Sequence, residues 1–151
     1  MRLPRRGWLS GAGAMLLAGT AGARAAPDGT YRRGNDADPE TLDPHRSSTV
    51  AEAHILRDLY DGLLTYDNRG AIIPGAAQSW RVSDDGLTYT FTLREGGRWS
   101  NGDPVEAEAF VYSLRRILAP ETAAKYAEVL FPIRNAAAIN RGAMPATALG
   151  V

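Results

Sequence analysis

The sequence predicts an α/β fold, a small mixed domain of antiparallel strands and three helices. Three observations carry that expectation. Thr49 with Glu52 three residues on is a capping box, and Val50, Ala53, Leu56, Leu59, Tyr60 and Leu63 then recur at helical spacing. Residues 87–94 alternate strictly, with Leu87, Tyr89, Phe91 and Leu93 on one side and Thr88, Thr90, Thr92 and Arg94 on the other, as a strand with one wet face does. Residues 107–118 gather Phe110, Val111, Leu114, Ile117 and Leu118 on one helical face.

In chain order, a basic stretch (residues 1–6) precedes an apolar, Gly- and Ala-rich run (7–22), and Ala23-Arg24-Ala25 offers small residues at both positions of a cleavage site. This predicts a signal peptide over 1–25. The run is too short and too weakly apolar for a membrane anchor, which needs about 20 predominantly apolar residues. Arg5-Arg6 leaves open whether a Sec-type or a twin-arginine route is used. The chain has no cysteine, so it has neither a disulfide framework nor the cysteine a lipoprotein needs at its processing site.

Thr30-Tyr31-Arg32-Arg33 suggests a short strand, and residues 35–45 a loop dense in Asp, Pro and Asn. The capped helix follows, and Asp61-Gly62 should stop it with the glycine in the left-handed conformation. A hairpin is expected from 63–66 and 71–73 about the turn Asp67-Asn68-Arg69-Gly70. Residues 77–82 form the next strand, and Ser83-Asp84-Asp85-Gly86 turns the chain into the alternating stretch. After the loop 95–104 and the helix over 107–118, Pro120 starts a further helix with Tyr126, Val129 and Leu130 as its apolar positions, ended by Pro132. From residue 136 the Gly-, Ala- and Pro-rich sequence predicts no further element.

The composition excludes several functions. The whole chain is formally neutral, but Arg2, Arg5, Arg6 and Arg24 precede every acidic residue. Without them 13 basic side chains face 17 acidic ones, a net charge of −4. No basic face remains for nucleic acid or an anionic membrane. Asp84-Asp85 reads as a turn former rather than an acid–base pair. Asp36, Asp38 and Asp43 read as a solvated loop, because they lack the glycine and glutamate of a calcium site. His45 and His54 do not stand at a metal-ligand spacing. No nucleophile elbow, Walker A or dinucleotide-binding glycine motif occurs, and no cofactor is expected. Gly96-Gly97 and Asn101-Gly102 supply loop glycines suited to positive φ. Trp80 and Trp99 read as core or loop anchors, and by residue type alone Tyr112 and Tyr126 also belong in the core.

Three stretches carry a family resemblance. The first is Leu42-Asp43-Pro44-His45 followed by Arg57-Asp58-Leu59-Tyr60-Asp61-Gly62-Leu63-Leu64. The second is Pro74-Gly75-Ala76-Ala77-Gln78-Ser79-Trp80, leading to Asp84-Asp85-Gly86-Leu87 and the alternating strand. The third is Trp99-Ser100-Asn101-Gly102-Asp103-Pro104-Val105, then Phe110-Val111-Tyr112-Ser113 and Arg116. In order and spacing, residues 41–151 resemble the extracellular solute-binding proteins of family 5, the oligopeptide- and dipeptide-binding receptors of ABC importers. The family usually reads A-x-D-F where this chain has Ala107-Glu108-Ala109-Phe110. That puts the start of this helix in question, with Glu106 and Glu108 as partial substitutes.

The resemblance implies a periplasmic-binding-protein-like (type II) fold. Of it, this chain would hold a signal peptide (1–25), the N-terminal strand and loop of one lobe (26–45), and a small α/β domain (46–151) truncated before the second lobe. It implies a monomeric periplasmic receptor that binds peptide through its backbone and passes it to membrane permease subunits, without catalysis. Val50 falls where the family makes a backbone contact to peptide, Tyr126 where it has a pocket-lining tyrosine, and Ser48 at another pocket-side position. The alternatives are a receptor for a nickel complex, haem or sugar, a non-functional fragment, and an exported carboxylate hydrolase. The hydrolase would need two carboxylates at a defined separation, a pair that the loop and turn acids do not supply.

Overall fold

The computed structural model describes residues 29–30 and 32–151. The expected signal peptide and Tyr31 lie outside the described residues. The chain divides into a unit over 1–34 and a compact unit over 35–151. In the first, Thr30, Arg32 and Arg33 do not form the expected strand, since neither sheet includes them as a pairing partner. Among the described residues no helix is long and apolar enough to cross a membrane.

Helix α1 runs Val50–Leu59 and opens on the expected capping box: Thr49 Oγ1 accepts from Glu52 N (3.2 Å), and Glu52 Oε2 accepts from Thr49 N (2.9 Å). Its end differs from expectation. Tyr60 is extended (φ −126°) and donates its N–H to Leu56 O at 2.9 Å, so the chain leaves the helix directly in strand conformation. Gly62 therefore has no left-handed role to fill, and its φ is not positive.

Strands β1 (Leu64–Tyr66) and β2 (Ile72–Pro74) pair antiparallel, with Thr65 opposite Ile73. Asp67 closes their turn by accepting from Arg69 N and Ala71 N. Strands β3 (Ala77–Val82) and β4 (Tyr89–Leu93) form a second antiparallel pair with Trp80 opposite Phe91 and a bulge between Ala77 and Ser79. Gly75 joins the two hairpins at close quarters. A Cβ there would stand 2.4 Å from Gly62 O, so only glycine fits. Of the loop glycines, Gly96 and Gly102 have positive φ and Gly97 does not.

The alternation of β4 is half expressed. Phe91 and Leu93 are partly buried, whereas Tyr89 is 59% and Leu87 82% exposed. Leu87 lies before the strand begins, in the turn region.

Helix α2 (Ala107–Leu118) forms where its apolar face predicts, but Glu106 at its N-cap makes no side-chain hydrogen bond. Glu108, in the first turn, offers the helix dipole a charge without capping an N–H. The expected single helix from Pro120 is instead two 3₁₀ segments, Pro120–Thr122 and Ala127–Leu130, separated by Ala123 in the left-handed region (φ 51°). Val129 and Tyr126, expected on its apolar face, are 70% and 54% exposed. Where no element was expected, α3 (Ala136–Asn140) and a 3₁₀ segment (Ala146–Ala148) form. Alanine is the best helix former, and three in succession start α3.

The core sits here rather than between the sheets. Leu118, Ala127, Ala136, Ile139 and Leu149 are buried together, with Leu114, Ile117, Leu130 and Ile133 packed against them. Each fully buried Leu or Ile contributes about 1.5–3 kcal/mol. Polar ties hold the edges: Asn135 Nδ2 donates to Ala148 O (2.7 Å) and Asn140 Nδ2 to Leu118 O (3.2 Å).

Candidate functional site

The start of α1 and the loop before it form one wall of a shallow groove of about 290 Å³. Ser47, Ser48, Thr49, Val50 and Ala53 line this wall, and Tyr126 lines the groove from the segment after α2. The Tyr126 hydroxyl donates to Ser48 O at 3.3 Å, and Lys125 Nζ donates to Ser48 Oγ at 3.0 Å. Val50 is 67% exposed, and its N–H, one of the first-turn donors a helix leaves unpaired, has no partner among the described residues.

Glu52 holds this wall in shape. It is 1% exposed, and its carboxylate accepts from the N–H groups of Glu40 (3.1 Å), Thr41 (3.3 Å), Ser48 (2.7 Å) and Thr49 (2.9 Å). A buried carboxylate is costly unless its lone pairs are satisfied, and here four amides satisfy them. Those bonds, led by the one from Ser48, draw its carboxyl down to about 2 against the opposing effect of burial.

A second anchor ties the loop to α2. Arg116 grips Asp43 with two bonds, Nη1 to Oδ1 (2.9 Å) and Nη2 to Oδ2 (2.6 Å). The same Nη1 lies 2.7 Å from His45 Nδ1. A guanidinium only donates, so Nδ1 accepts, the imidazole carries its proton on Nε2, and that N–H donates to Ser113 Oγ at 2.9 Å. Its bond to Arg116 holds the Asp43 carboxyl well below the usual range. Burial, and then the charge of Arg116, push His45 below its ordinary 6.5, while Asp43 pulls the other way.

The family model for bacterial extracellular solute-binding proteins, family 5 Middle, matches residues 71–143. The periplasmic oligopeptide-binding protein OppA of Haemophilus influenzae is 40% identical over 147 residues, covering 91% of this chain and 27% of that protein. The probable deoxycholate-binding periplasmic protein YgiS of Escherichia coli is 41% identical, covering 83% of this chain and 24% of its own length. The crystal structure of Haemophilus influenzae OppA in complex with the peptide RPPGFSPFR superposes on 76% of this chain and 23% of OppA, with a TM-score of 0.74 and 44% identity.

The chain belongs to the family 5 extracellular solute-binding proteins.

It spans about a quarter of the length of the curated relatives it matches. Its architecture is that of the periplasmic binding proteins, here a small mixed α/β piece with antiparallel strands and three α-helices among the described residues. The three positions singled out in this family 5 chain (Ser48, Val50 and Tyr126) line one groove, although residue type alone had put Tyr126 in the core.

Other expectations need correction. Asp43 is not merely a solvated loop acid, since Arg116 grips it, and His45 belongs to the same network. Tyr112 (68% exposed) is not a core residue, whereas Trp99 (46% exposed) takes the loop-anchor alternative, its N–H donating to Asp103 O at 2.8 Å. Asp85 does act as a turn former, accepting from Leu87 N at 3.0 Å and from the Ser83 hydroxyl. Reasoning from single residues missed the Asp43–Arg116 anchor, because no local pattern links residues 73 apart. Both residues nevertheless stand among the motif positions that carried the resemblance, and that signal could have paired them.

Proposed function

We propose that this chain supplies one wall of the ligand site in a periplasmic substrate-binding component of an ABC importer, a receptor that takes up oligopeptides or dipeptides without chemistry. One observation carries the reading: Ser48, Val50 and Tyr126 meet at a groove whose rim offers a free backbone N–H and a tyrosine hydroxyl. An extended peptide presents carbonyls and N–H groups at regular intervals, and such a rim engages them whatever the side chains are. In this reading residues 1–25 direct export and are removed, 26–45 lead into the first lobe, and 46–151 form the small domain beside it. The receptor works as a monomer and delivers its ligand to membrane permease subunits.

A second reading has its own support. A relative 41% identical is named as a probable deoxycholate-binding protein, so an apolar carboxylic acid is the rival ligand. Calorimetric titration of the mature protein purified from its host, with tri- to pentapeptides and separately with deoxycholate, decides between them. Saturable peptide binding and no response to deoxycholate are expected. Deoxycholate binding without peptide binding overturns the first reading, and silence to both overturns the receptor role.

A further inference from the structure

No acidic side chain lines the groove, whose wall consists of hydroxyl and apolar residues. Among the described residues one cation is hydrogen-bonded to that wall: Lys125, exposed, with its Nζ on Ser48 Oγ at 3.0 Å. Among the described residues no carboxylate pairs with this ammonium. Glu52 lies behind the same loop, but it is 1% exposed and its oxygens are engaged by four amides, so it forms no ion pair at the rim. Lys125 has three N–H donors, of which Ser48 takes one. Ser48 Oγ, accepting from Lys125, retains its own O–H to donate. Ammonium and hydroxyl thus stand side by side, each with a donor left, a spacing that the two oxygens of one carboxylate can bridge.

We infer that Lys125 and Ser48 form a carboxylate clamp that makes this receptor prefer peptides carrying an acidic side chain in the groove. The inference rests on the peptide reading above and deepens it by naming a ligand class and the residue that selects it. Charge-assisted bonds are the stronger kind, but an exposed ion pair is screened, so the preference is about twofold to fivefold at low salt and smaller at high salt. A lysine side chain in the same place meets the Lys125 charge and is disfavoured.

The test is calorimetric titration of the mature protein purified from its host with tetra-alanine peptides in which Glu, Gln or Lys is placed at each position in turn. At one position Glu should bind about twofold to fivefold tighter than Gln, and Lys weaker than both. Lys125→Met should bring the Glu and Gln peptides level, and Lys125→Glu should reverse the order to favour Lys. Since Lys125 is exposed and outside the core, a reversed preference also shows that the variant is folded. Peptide binding with no charge preference at any position, or a preference that survives Lys125→Met, overturns the clamp and leaves the peptide reading standing. No binding of any peptide overturns both.

Discussion

Arg116 on α2 holds Asp43 on the N-terminal loop through two hydrogen bonds, of 2.9 and 2.6 Å, across 73 residues of chain. The same guanidinium fixes the tautomer of His45, whose other nitrogen donates to Ser113 three residues before Arg116. Arg116 and Ser113 thus dock residues 43–45 on α2, while Glu52 carries the adjoining residues 48 and 49 into α1. The groove wall hangs between these two anchors.

Arg116→Lys tests the first anchor. A lysine ammonium is a point charge and cannot present the paired donors that Asp43 and His45 use together. The expected outcome is a melting temperature lower by several degrees, followed by circular dichroism. Asp43→Asn should cost a similar amount, and the double variant little more than either single, because both disrupt one network. Independent, additive losses would show that the two residues stabilise the fold separately.

Stability should decline with falling pH in two stages. His45 has a folded value below its ordinary 6.5, so the unfolded chain binds its proton first. Its contribution is complete above 6.5 and is lost as pH falls below it. Glu52 is held at about 2 against an ordinary 4.5, so its contribution is present above 4.5 and lost between 4.5 and 2, where Asp43 adds to the loss. Melting temperature measured from pH 8 to pH 2 should show both declines. His45→Asn should flatten the upper one and Glu52→Gln weaken the lower. An upper decline that persists in His45→Asn belongs to another group.

Gly75→Ala should destabilise by about 1–3 kcal/mol, the usual cost of forcing an atom into occupied space. The added Cβ would lie 2.4 Å from Gly62 O and 3.2 Å from Leu63 O, both backbone atoms that cannot swing aside. Gly34→Ala is the control, since a Cβ there meets nothing within 4 Å and its φ is not positive. Equal denaturation midpoints for the two variants would show that the hairpins can separate at no cost.

Tyr126→Phe removes one hydroxyl from the groove and leaves the ring. A net hydrogen bond contributes about 0.5–1.5 kcal/mol, so peptide binding should weaken by up to about tenfold while the melting temperature stays unchanged. The ring is 54% exposed and outside the core cluster, so a drop of several degrees with affinity intact would make the tyrosine structural.

Local rules explain which parts of this structure could be read in advance. The capping box at Thr49 and Glu52, the turn at Asp67 and the amphipathic face of 107–118 all involve residues within a few positions of each other, where sequence spacing is spatial proximity. What failed depended on distant partners. Glu52 could be recognised as a capping residue, but not as the acceptor for Glu40 and Thr41. The Pro120 helix is broken at Ala123, which is left-handed, and the segments on either side bury Thr122 and Ala127 in place of the expected Tyr126 and Val129. Helix α3 was missed because its alanines give no apolar periodicity, and only the packing of Ala136 and Ile139 against Leu118, Ala127 and Leu149 reveals which face is inward. Of the groove, Ser48, Val50 and Tyr126 were singled out through the family resemblance alone, since no local pattern marks them as lining one groove. The half-exposed setting of Tyr126 follows from that same broken helix.

The span of each anchor also sets an order of assembly. Glu52 gathers amides no more than 12 residues away, so its bonds close a short loop at small entropic cost. Arg116 and Asp43 must close 73 residues, and their bonds form only once α2 approaches the loop. Residues 40–52 are therefore expected to order early in folding and the Arg116 clasp to close late. Kinetically, Glu52→Gln should slow refolding, while Arg116→Lys should mainly speed unfolding.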